Sequence, residues 1–321
     1  GRWLSTEILM QIHEKPFALG GMRSAFRAWD LGKSAKSKQY VLKLYKDADY
    51  DSYANCAEDV WMQLKAKAFA HAYNSALSAA QRRMECQSLQ THSNSAHHGN
   101  HHVRQNRAQP RFIHMLAPFI VEVAYPGSPS YYLAEQYMGG EFVKYNSNVG
   151  WVLGRSLDLG ATLGGHVQTA QSFTHFTWEA SKHTLLVCDI QGVGDYYTDP
   201  QIHSVDSTGY GRGNLGIRGI SCFFSTHKCN KICTLLQLPR DPDPHGALRL
   251  DEHLPDSATP PSGGSSVTTF SHLSPLKRMI ARVHHGMTWL LSLPHTALQQ
   301  LISEGVAWQS VPVVEGPARV E

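Results

Sequence analysis

Several short segments of the chain carry apolar residues in alternation or in brief unbroken runs, as β-strands do. These segments are residues 40–45, 112–125, 131–137 and 185–188. The last run ends abruptly in Asp189-Ile190-Gln191-Gly192. We interpret it as a buried strand that delivers polar side chains to a site at its end.

Other segments show apolar residues three to four positions apart, which is typical of α-helices. Helices are predicted over residues 1–15, 56–83, 162–173 and 217–238. The stripe Trp61, Leu64, Ala68 and Ala72 assigns the second of these helices to the core.

A further candidate helix covers residues 276–292. Its apolar face consists of Leu276, Ile280, Val283 and Met287, with Lys277, Arg278 and Arg282 beside it. A basic amphipathic helix is typical of a partner helix or a calmodulin-type target. The alternative is a terminal helix that docks on its own domain.

Composition separates a core region from two looser segments. Residues 88–110 are rich in histidine and almost free of apolar residues, so we predict a disordered insertion there. From residue 239 onward Pro, Gly and Ser become frequent, which indicates a linker and then a tail to residue 321. With 42% hydrophobic residues the chain has room for one large domain or two modest ones.

Charge, hydropathy and cysteine content bear on the partners and on the cellular compartment of the protein. The formal net charge of +3 favours neither nucleic acid nor a membrane surface as partner. No apolar run is long enough to span a bilayer, and no signal peptide opens the chain. Six unevenly spread cysteines favour a reducing, cytoplasmic compartment over a disulfide framework.

Two carboxylates, Asp189 and Asp199, flank the turn after the predicted strand 185–188. Gly192 and Gly194 make this turn flexible, and Gln191 adds an amide oxygen. Carboxylate and amide oxygens suit a divalent cation with hard oxygen ligands, such as Mg²⁺.

A second metal site is predicted from His227, Cys229 and Cys233, because zinc prefers thiolate and imidazole ligands. The two cysteines are four residues apart and would share one face of a helix. The fourth ligand must come from elsewhere, and His175, at the start of the strand that carries Asp189, is the best candidate. A closed four-ligand site would be structural. The alternative is a helix with two buried free thiols.

Two stretches near the N-terminus are candidates for phosphate binding. In Gly20-Gly21-Met22-Arg23, backbone N–H groups and a guanidinium would close on phosphate oxygens. Such a glycine pair is more often only a turn. Lys43 lies in the middle of the predicted strand 40–45, where it needs an acceptor such as a nucleotide phosphate, or else faces solvent.

Two further clusters follow along the chain. Glu135 near the end of the predicted strand 131–137 would hydrogen-bond an amine, or is an ordinary edge carboxylate. A glycine break and the cluster 144–148 come next and resemble a junction between two lobes. A glycine-rich loop then suits close approach to a ligand or peptide, or is a flexible surface turn. Its members are Gly211, Gly213, Asn214 and Gly216.

Nine motifs occur in the order in which the atypical α-kinases carry them. They are Gly-Gly-Met-Arg, Val-Leu-Lys-Leu, Glu135, Lys-Tyr-Asn-Ser-Asn, Phe-Thr-His-Phe-Thr, Asp-Ile-Gln-Gly-Val-Gly-Asp, Thr-Asp-Pro-Gln-Ile-His, Gly-Asn-Leu-Gly and His-Lys-Cys-Asn-Lys-Ile-Cys. From about residue 3 to residue 238 the chain therefore resembles this family, most of all the branch that phosphorylates elongation factor 2.

The resemblance implies an α+β fold of two lobes, with an N-lobe to about residue 140 and a C-lobe over residues 141–238 that holds a structural zinc. It implies nucleotide contacts for Gly20, Gly21, Met22, Arg23, Lys43, Glu135, Lys144 and Asn148. It implies a catalytic role for Asp189, Mg²⁺ binding by Gln191 and Asp199, and zinc binding by His175, His227, Cys229 and Cys233. The loop 211–216 matches the family's peptide-substrate loop.

The implied activity is that of an ATP- and Mg²⁺-dependent protein serine/threonine kinase. None of the matched positions is altered, which argues against the second interpretation, a catalytically inactive nucleotide-binding scaffold. A zinc-dependent hydrolase is a third interpretation, and the closed metal cluster disfavours it. The expected partners are a protein substrate such as elongation factor 2, and calmodulin or another regulator if the chain is part of a longer protein.

Overall fold

The computed structural model describes residues 4–32, 38–93, 111–124, 128–154, 159–240 and 276–285. Seven strands and the first part of a long helix form one lobe, and three helices with two small sheets form the other. The predicted α+β architecture of two lobes is confirmed.

The N-lobe is an antiparallel sheet that closes on itself. Its strands are β1 (Leu4–His13), β2 (Ala18–Leu19), β3 (Arg23–Asp30), β4 (Gln39–Tyr45), β6 (Phe119–Val123), β7 (Ser130–Gln136) and β13 (Leu276–His285). The order is β1-β13-β6-β7-β4-β3-β2, and β1 also pairs with β3. Ala28, Ala134 and Ala281 are buried inside. Small side chains suit the limited space within a closed sheet of few strands.

Strand β1 replaces the helix that the sequence predicts over residues 1–15, and that prediction is wrong for residues 4–13. Met10 and Ile12 are buried and Ile8 packs against the same core, whereas Leu9 is exposed. This alternation is the period of two that a half-buried strand requires.

Strand β13 replaces part of the helix predicted over residues 276–292, and that prediction is wrong for residues 276–285. Residues 286–292 lie outside the described residues. The strand pairs with β1 on one side and with β6 on the other. Because a strand paired on both sides has no helical amphipathic face, the calmodulin-target interpretation of this segment loses its basis.

Helix α1 (Tyr53–Ser93) belongs to the cores of both lobes. Near its start, Cys56 and Val60 pack with Ile120 of the N-lobe sheet. Further along, Phe69 and Tyr73 belong to the core cluster of the C-lobe. With 41 residues the helix is about 60 Å long, enough to cross both lobes. It includes the first residues of the predicted insertion 88–110, and residues 94–110 lie outside the described residues.

The C-lobe combines three helices with two small sheets. Its helices are α2 (Gly160–Ala180), α3 (Gly216–Thr226) and α4 (Lys231–Leu235). One sheet contains β5 (His114–Met115), β8 (Val143–Lys144), β10 (Gln191–Val193) and β11 (Tyr196–Thr198), in the order β5-β11-β10-β8. The other pairs β9 (Leu185–Cys188) with β12 (Gln201–Ser204). Strand β9 is buried along its whole length, as predicted.

Two helix predictions in the C-lobe need correction. Helix α2 continues beyond residue 173 to Ala180, and its hydroxyl groups bond back to the helix, as Thr177 Oγ1 does to the Thr174 carbonyl at 2.7 Å. The single helix predicted over residues 217–238 is wrong, because the chain leaves helical geometry at His227. Asn230 then caps α4 by accepting from the Ile232 N–H at 2.8 Å.

Among the residues described, no helix combines the length and apolar character needed to cross a membrane.

Candidate active site and metal cluster

Asp189 and Asp199 both follow a strand and both have a left-handed backbone, with φ of 59° and 52°. Asp189 follows β9, and Asp199 follows β11. Aspartate tolerates this conformation better than most residues other than glycine. Gln191 lies on β10 and donates to Asp189 Oδ2 at 3.2 Å and to the Asp199 carbonyl at 3.1 Å. The structure therefore brings together the three residues that the sequence assigned to catalysis and Mg²⁺.

Two cations from the N-lobe face Asp199. Arg23 donates to Asp199 and, at 2.7 Å, to Asp59 of α1. Lys43 Nζ is 3.7 Å from Asp199 Oδ1. Burial alone would raise the pKa of Asp199, but Arg23, Lys43 and Lys144 lower it below its ordinary value. Asp199 is therefore held in its ionised form, as a metal ligand must be.

Lys43 and Glu135 form an ion pair inside the N-lobe, with Nζ 2.6 Å from Oε2. Lys43 also donates to Thr198 Oγ1 at 3.1 Å, and the Thr198 hydroxyl donates to Glu135. Glu135 is only 2% exposed. The alternatives of a solvent-facing lysine and an ordinary edge carboxylate are therefore wrong. The adenine contact assigned to Glu135 stays a prediction.

Lys144 lies on β8 with Nζ 2.6 Å from Asp189 Oδ1. Burial raises the pKa of Asp189, and the charge of Lys144 offsets part of that increase. Asn148 points elsewhere, because its amide donates to the Gly213 carbonyl at 3.4 Å. It therefore supports the glycine-rich loop in this structure, and its role behind a nucleotide stays a prediction.

The glycine-rich loop is held in one shape from within. The Asn214 side chain donates to Ser204 Oγ at 2.9 Å and to the Gly209 carbonyl at 3.0 Å, and it accepts from the Gly216 N–H at 3.0 Å. Gly211 and Gly216 have φ of 67° and 59°, which a side chain would disfavour. These hydrogen bonds contradict the alternative of a flexible surface turn.

The same loop contacts the N-lobe. The Gly211 N–H donates to Glu58 of α1 at 3.0 Å. The Arg212 guanidinium lies 4.5 Å from the ring centre of Tyr50 and 3.6 Å from Asp47. The loop thus bridges the lobes next to Asp189 and Asp199.

Gly20 and Gly21 form an exposed turn between β2 and β3. The Gly20 N–H donates to the Arg23 carbonyl at 2.8 Å, which closes the turn. A pocket lies between the two lobes, and Met22 and Arg23, which directly follow the turn, are among its lining residues. Residues of both lobes line it, among them also Asp59, Asp189, Asp199, Gly211 and Gly213.

Three buried residues support the site although the sequence assigned them no role of their own, and one of them, Asn146, lies inside the motif Lys-Tyr-Asn-Ser-Asn. Asn146 accepts from the Ile190 N–H at 2.8 Å, directly after Asp189. Gln63 accepts from the Asp199 N–H at 3.2 Å. Asp59 bonds Arg23, and burial raises the pKa of Asp59. In the sequence Asp59 and Gln63 are ordinary polar positions of a helix, and only the tertiary structure shows that they are buried.

The four predicted zinc ligands lie together, with one ligand atom from each within 4.8 Å of the others. Cys229 Sγ is 3.7 Å from His175 Nδ1, and Cys233 Sγ is 3.8 Å from His227 Nε2. Two details of the prediction are wrong. His175 lies within α2 rather than at the start of a strand, and Cys229 precedes α4, so the cysteines do not share a helix face.

The chemistry of this cluster fits zinc. Ligand atoms around a tetrahedral zinc are about 3.3–3.8 Å apart, given bonds of about 2.0–2.3 Å. Burial lowers the pKa of His175 to about 4, and burial with the neighbouring His175 lowers that of His227 to about 3. Both imidazoles are therefore neutral, as ligands must be. Glu179 Oε1 lies 3.9 Å from His175 Nε2, beyond hydrogen-bond distance.

Comparison with known proteins places the chain beside protein kinases. The model of the Alpha-kinase family matches residues 18–233. Eukaryotic elongation factor 2 kinase of Homo sapiens is 36% identical over 246 residues, and Myosin heavy chain kinase B of Dictyostelium discoideum is 38% identical over 239 residues. Each match covers 74% of this chain, but only 28% and 27% of the relatives. The chain thus spans less than a third of their length.

Solved structures give the same answer for the fold. The crystal structure of the alpha-kinase domain of Myosin Heavy Chain Kinase A in complex with AMP matches with a TM-score of 0.54 and 29% identity. The match covers 74% of this chain and 99% of that one. The C-terminal truncated domain of a myosin heavy chain kinase matches with a TM-score of 0.56 over the same share.

Proposed function

This chain belongs to the Alpha-kinase family, and on that basis we propose that it is a protein serine/threonine kinase that transfers the γ-phosphate of ATP. The observation that carries the proposal is the meeting of Asp189, Gln191 and Asp199 with Arg23 and Lys43 between the lobes. Phosphoryl transfer depends on positioning and on neutralising charge, and this group offers both. Structural neighbours crystallised with AMP, ADP and AMP-PNP support a nucleotide as the ligand.

The two N-lobe cations would balance the charge of the triphosphate. Lys43 and Arg23 now share Asp199 and keep Glu135 and Asp59 as separate partners. Each cation is therefore held in place from behind by a buried carboxylate. Cations that are fixed in this way need little reorganisation when they stabilise the charge that develops on the phosphate oxygens.

Asp189 would accept or orient the proton of the substrate hydroxyl. Burial raises its pKa, which makes the carboxylate a better proton acceptor than an exposed aspartate. Lys144 at 2.6 Å and the Gln191 amide at 3.2 Å fix its two oxygens. The acceptor would be a serine or threonine hydroxyl brought to Asp189 in line with the γ-phosphate.

Gln191 and Asp199 are the residues that would hold Mg²⁺. Their amide and carboxylate offer the oxygen ligands that this cation takes alongside substrate phosphates. Bound Mg²⁺ would neutralise charge on the phosphate oxygens. His175, His227, Cys229 and Cys233 would hold one structural zinc that ties α2 to the segment around α4.

The protein substrate would lie along the glycine-rich loop beside Asp189. Because relatives include kinases named for elongation factor 2, we propose that factor as a candidate substrate. The six free cysteines support the cytoplasm as the compartment in which the chain works. If the chain is part of a longer protein, calmodulin or another regulator would act through segments other than the strand Leu276–His285.

The test is transfer of radiolabel from ATP to purified elongation factor 2 and to a generic basic protein, with Mg²⁺ present. The Asp199→Ala protein is the comparison, and it should fold but transfer no label, because it lacks a predicted metal ligand. If the folded Asp199→Ala protein turned over substrate at a rate close to that of the wild type, the proposed role of Asp199 would be wrong. Wild-type protein that binds ATP without transferring label to either substrate would favour the scaffold interpretation.

A further inference from the structure

We propose that Gln63 of α1 is a positioning residue that holds Asp199 in the backbone conformation needed for metal binding. The inference rests on the proposed function, because it takes Asp199 as a ligand of Mg²⁺ at the nucleotide site. It adds a residue to which neither the sequence motifs nor the comparisons assign a role.

The Gln63 amide uses both its donor and its acceptor groups. Its oxygen accepts from the Asp199 N–H at 3.2 Å, and its nitrogen donates to the Leu116 carbonyl at 3.1 Å and to the Glu135 carboxylate. The residue is 1% exposed. A buried amide with this many partners has one orientation, because any other leaves polar groups unpaired.

Asp199 needs such support because its φ of 52° is unfavourable for a residue with a side chain. Such a strained conformation persists where neighbours hold it in place. Arg23 holds the Asp199 carboxylate, and Gln63 holds its N–H. The backbone is thus fixed independently of the cation that a nucleotide would attract.

Helix α1 supports Asp199 from two positions one turn apart, directly through Gln63 and indirectly through Asp59. Asp59 bonds the Arg23 guanidinium, and Gln63 lies four residues later on the same face. The helix packs into the N-lobe core at Val60 and into the C-lobe core at Phe69. Gln63 lies at the crossing between the lobes, so a shift of α1 relative to either core would move Asp199.

The experiment uses the full chain of 321 residues with Gln63→Met, which keeps the length of the side chain and removes its hydrogen bonds. Binding of Mn²⁺ is measured by electron paramagnetic resonance in the presence of a non-hydrolysable ATP analogue. Groups that orient a metal ligand typically contribute tenfold or more to affinity. We expect Gln63→Met to bind Mn²⁺ about tenfold more weakly. The affinity for the analogue alone should fall less than the affinity for Mn²⁺, because the nucleotide reaches Gln63 only through Glu135.

The chain offers a matched control in Asn74, another amide on α1. It donates to the Ile113 carbonyl at 2.8 Å and accepts from the Ile113 N–H at 3.0 Å, and it contacts none of the residues proposed to bind nucleotide or metal. Asn74→Leu should lower the melting temperature comparably and leave Mn²⁺ affinity unchanged. If Gln63→Met does not fold, Gln63→Asn keeps an amide but is one carbon too short to reach its partners, and it should show the same loss.

Two results would overturn the proposal. One is a folded Gln63 variant that binds Mn²⁺ as tightly as the wild type. The other is an equal loss of Mn²⁺ affinity in Asn74→Leu, since the effect would then be general loosening of α1. Wild-type protein that binds Mn²⁺ with the analogue but transfers no phosphate would contradict the proposed function and leave the positioning role of Gln63 standing.

Discussion

Lys43 and Glu135 lie on neighbouring antiparallel strands and form an ion pair in which Nζ is 2.6 Å from Oε2. The pair shows that the lysine predicted to contact phosphate is anchored by the acid predicted to contact adenine. Two site residues that the sequence treats separately are therefore one buried unit. Substituting either of them must affect stability as well as ligand binding.

Lys43→Met is expected to lower both ATP affinity and stability. It removes the counter-ion of Glu135, and breaking a buried pair from one side typically costs about 3–5 kcal/mol. Chemical denaturation would give the free energy of unfolding, and titration with ATP would give the affinity. Lys38→Met is the control, because Lys38 is exposed just before the same strand. Equal stability of the two variants would mean that the pair contributes nothing.

A second prediction concerns pH. Asp189 must be ionised to accept a proton, so activity should fall as pH drops through its pKa, which burial raises. Lys144 Nζ lies 2.6 Å from Asp189 Oδ1, and its positive charge offsets part of that increase. Removing Lys144 should therefore raise the pKa of Asp189 further. In Lys144→Met the acid limb of kcat/KM should therefore move to higher pH.

The pH profile of Lys182→Met should match that of the wild type, because Lys182 is exposed at the end of α2, away from the site. An acid limb that stays in place in a folded, active Lys144→Met protein would show that Asp189 does not limit the rate at low pH.

The sequence selected candidate site residues that the structure brings together, but it predicted the wrong element for several segments of the chain. Asp189 stands out because it ends an apolar run, and Asp199 because it lies across a glycine-containing turn from Asp189. Both patterns are local. Gln63 carries no such signal, since its partners Leu116, Glu135 and Asp199 come from three distant parts of the chain. Only packing decides whether a polar helix position is buried.

The wrong elements fail for a related physical reason. Strand β1 contains Leu4, Ile8 and Leu9, which fit a helix, while the alternation of Ile8, Met10 and Ile12 that fits a strand overlaps them. The choice is made by pairing with β13, about 270 residues away in sequence. Local spacing contains no information about such a partner. In α2 the run from Thr174 to Thr177 favours a strand locally, but it lies within a helix of 21 residues.

A third prediction tests the metal cluster. Wild-type protein should contain one zinc per chain, and Cys233→Ala should lose it, because its thiol is one of four converging ligands. Since metal binding contributes to folding, the melting temperature should fall by on the order of 10 °C. Cys222→Ala is the control, since Cys222 lies on α3 outside the cluster. Full zinc content and an unchanged melting temperature in Cys233→Ala would disprove the assignment.

The last prediction concerns strand β13, which lies beyond the residues 18–233 that match the family model. It pairs with all ten residues of β1 and with Ile120–Val123 of β6, so it separates two strands that would otherwise be edges. A chain that ends at residue 275 should lose these ladders. Each ladder hydrogen bond contributes about 1 kcal/mol net, and the conformational entropy of the ordered strand offsets part of that sum. We therefore expect the free energy of unfolding to fall by on the order of 3 kcal/mol.

Hydrogen exchange locates that loss. In the chain that ends at residue 275, the amides of β1 and β6 should exchange faster, while those of β9 in the C-lobe should keep their protection. A chain that ends at residue 285 retains the strand and should match the full chain. Adding a peptide of residues 276–285 to the shorter chain should restore protection, because unpaired strand edges accept a new strand. Unchanged protection of β1 after removal of residues 276–321 would mean that β13 does not stabilise the N-lobe sheet.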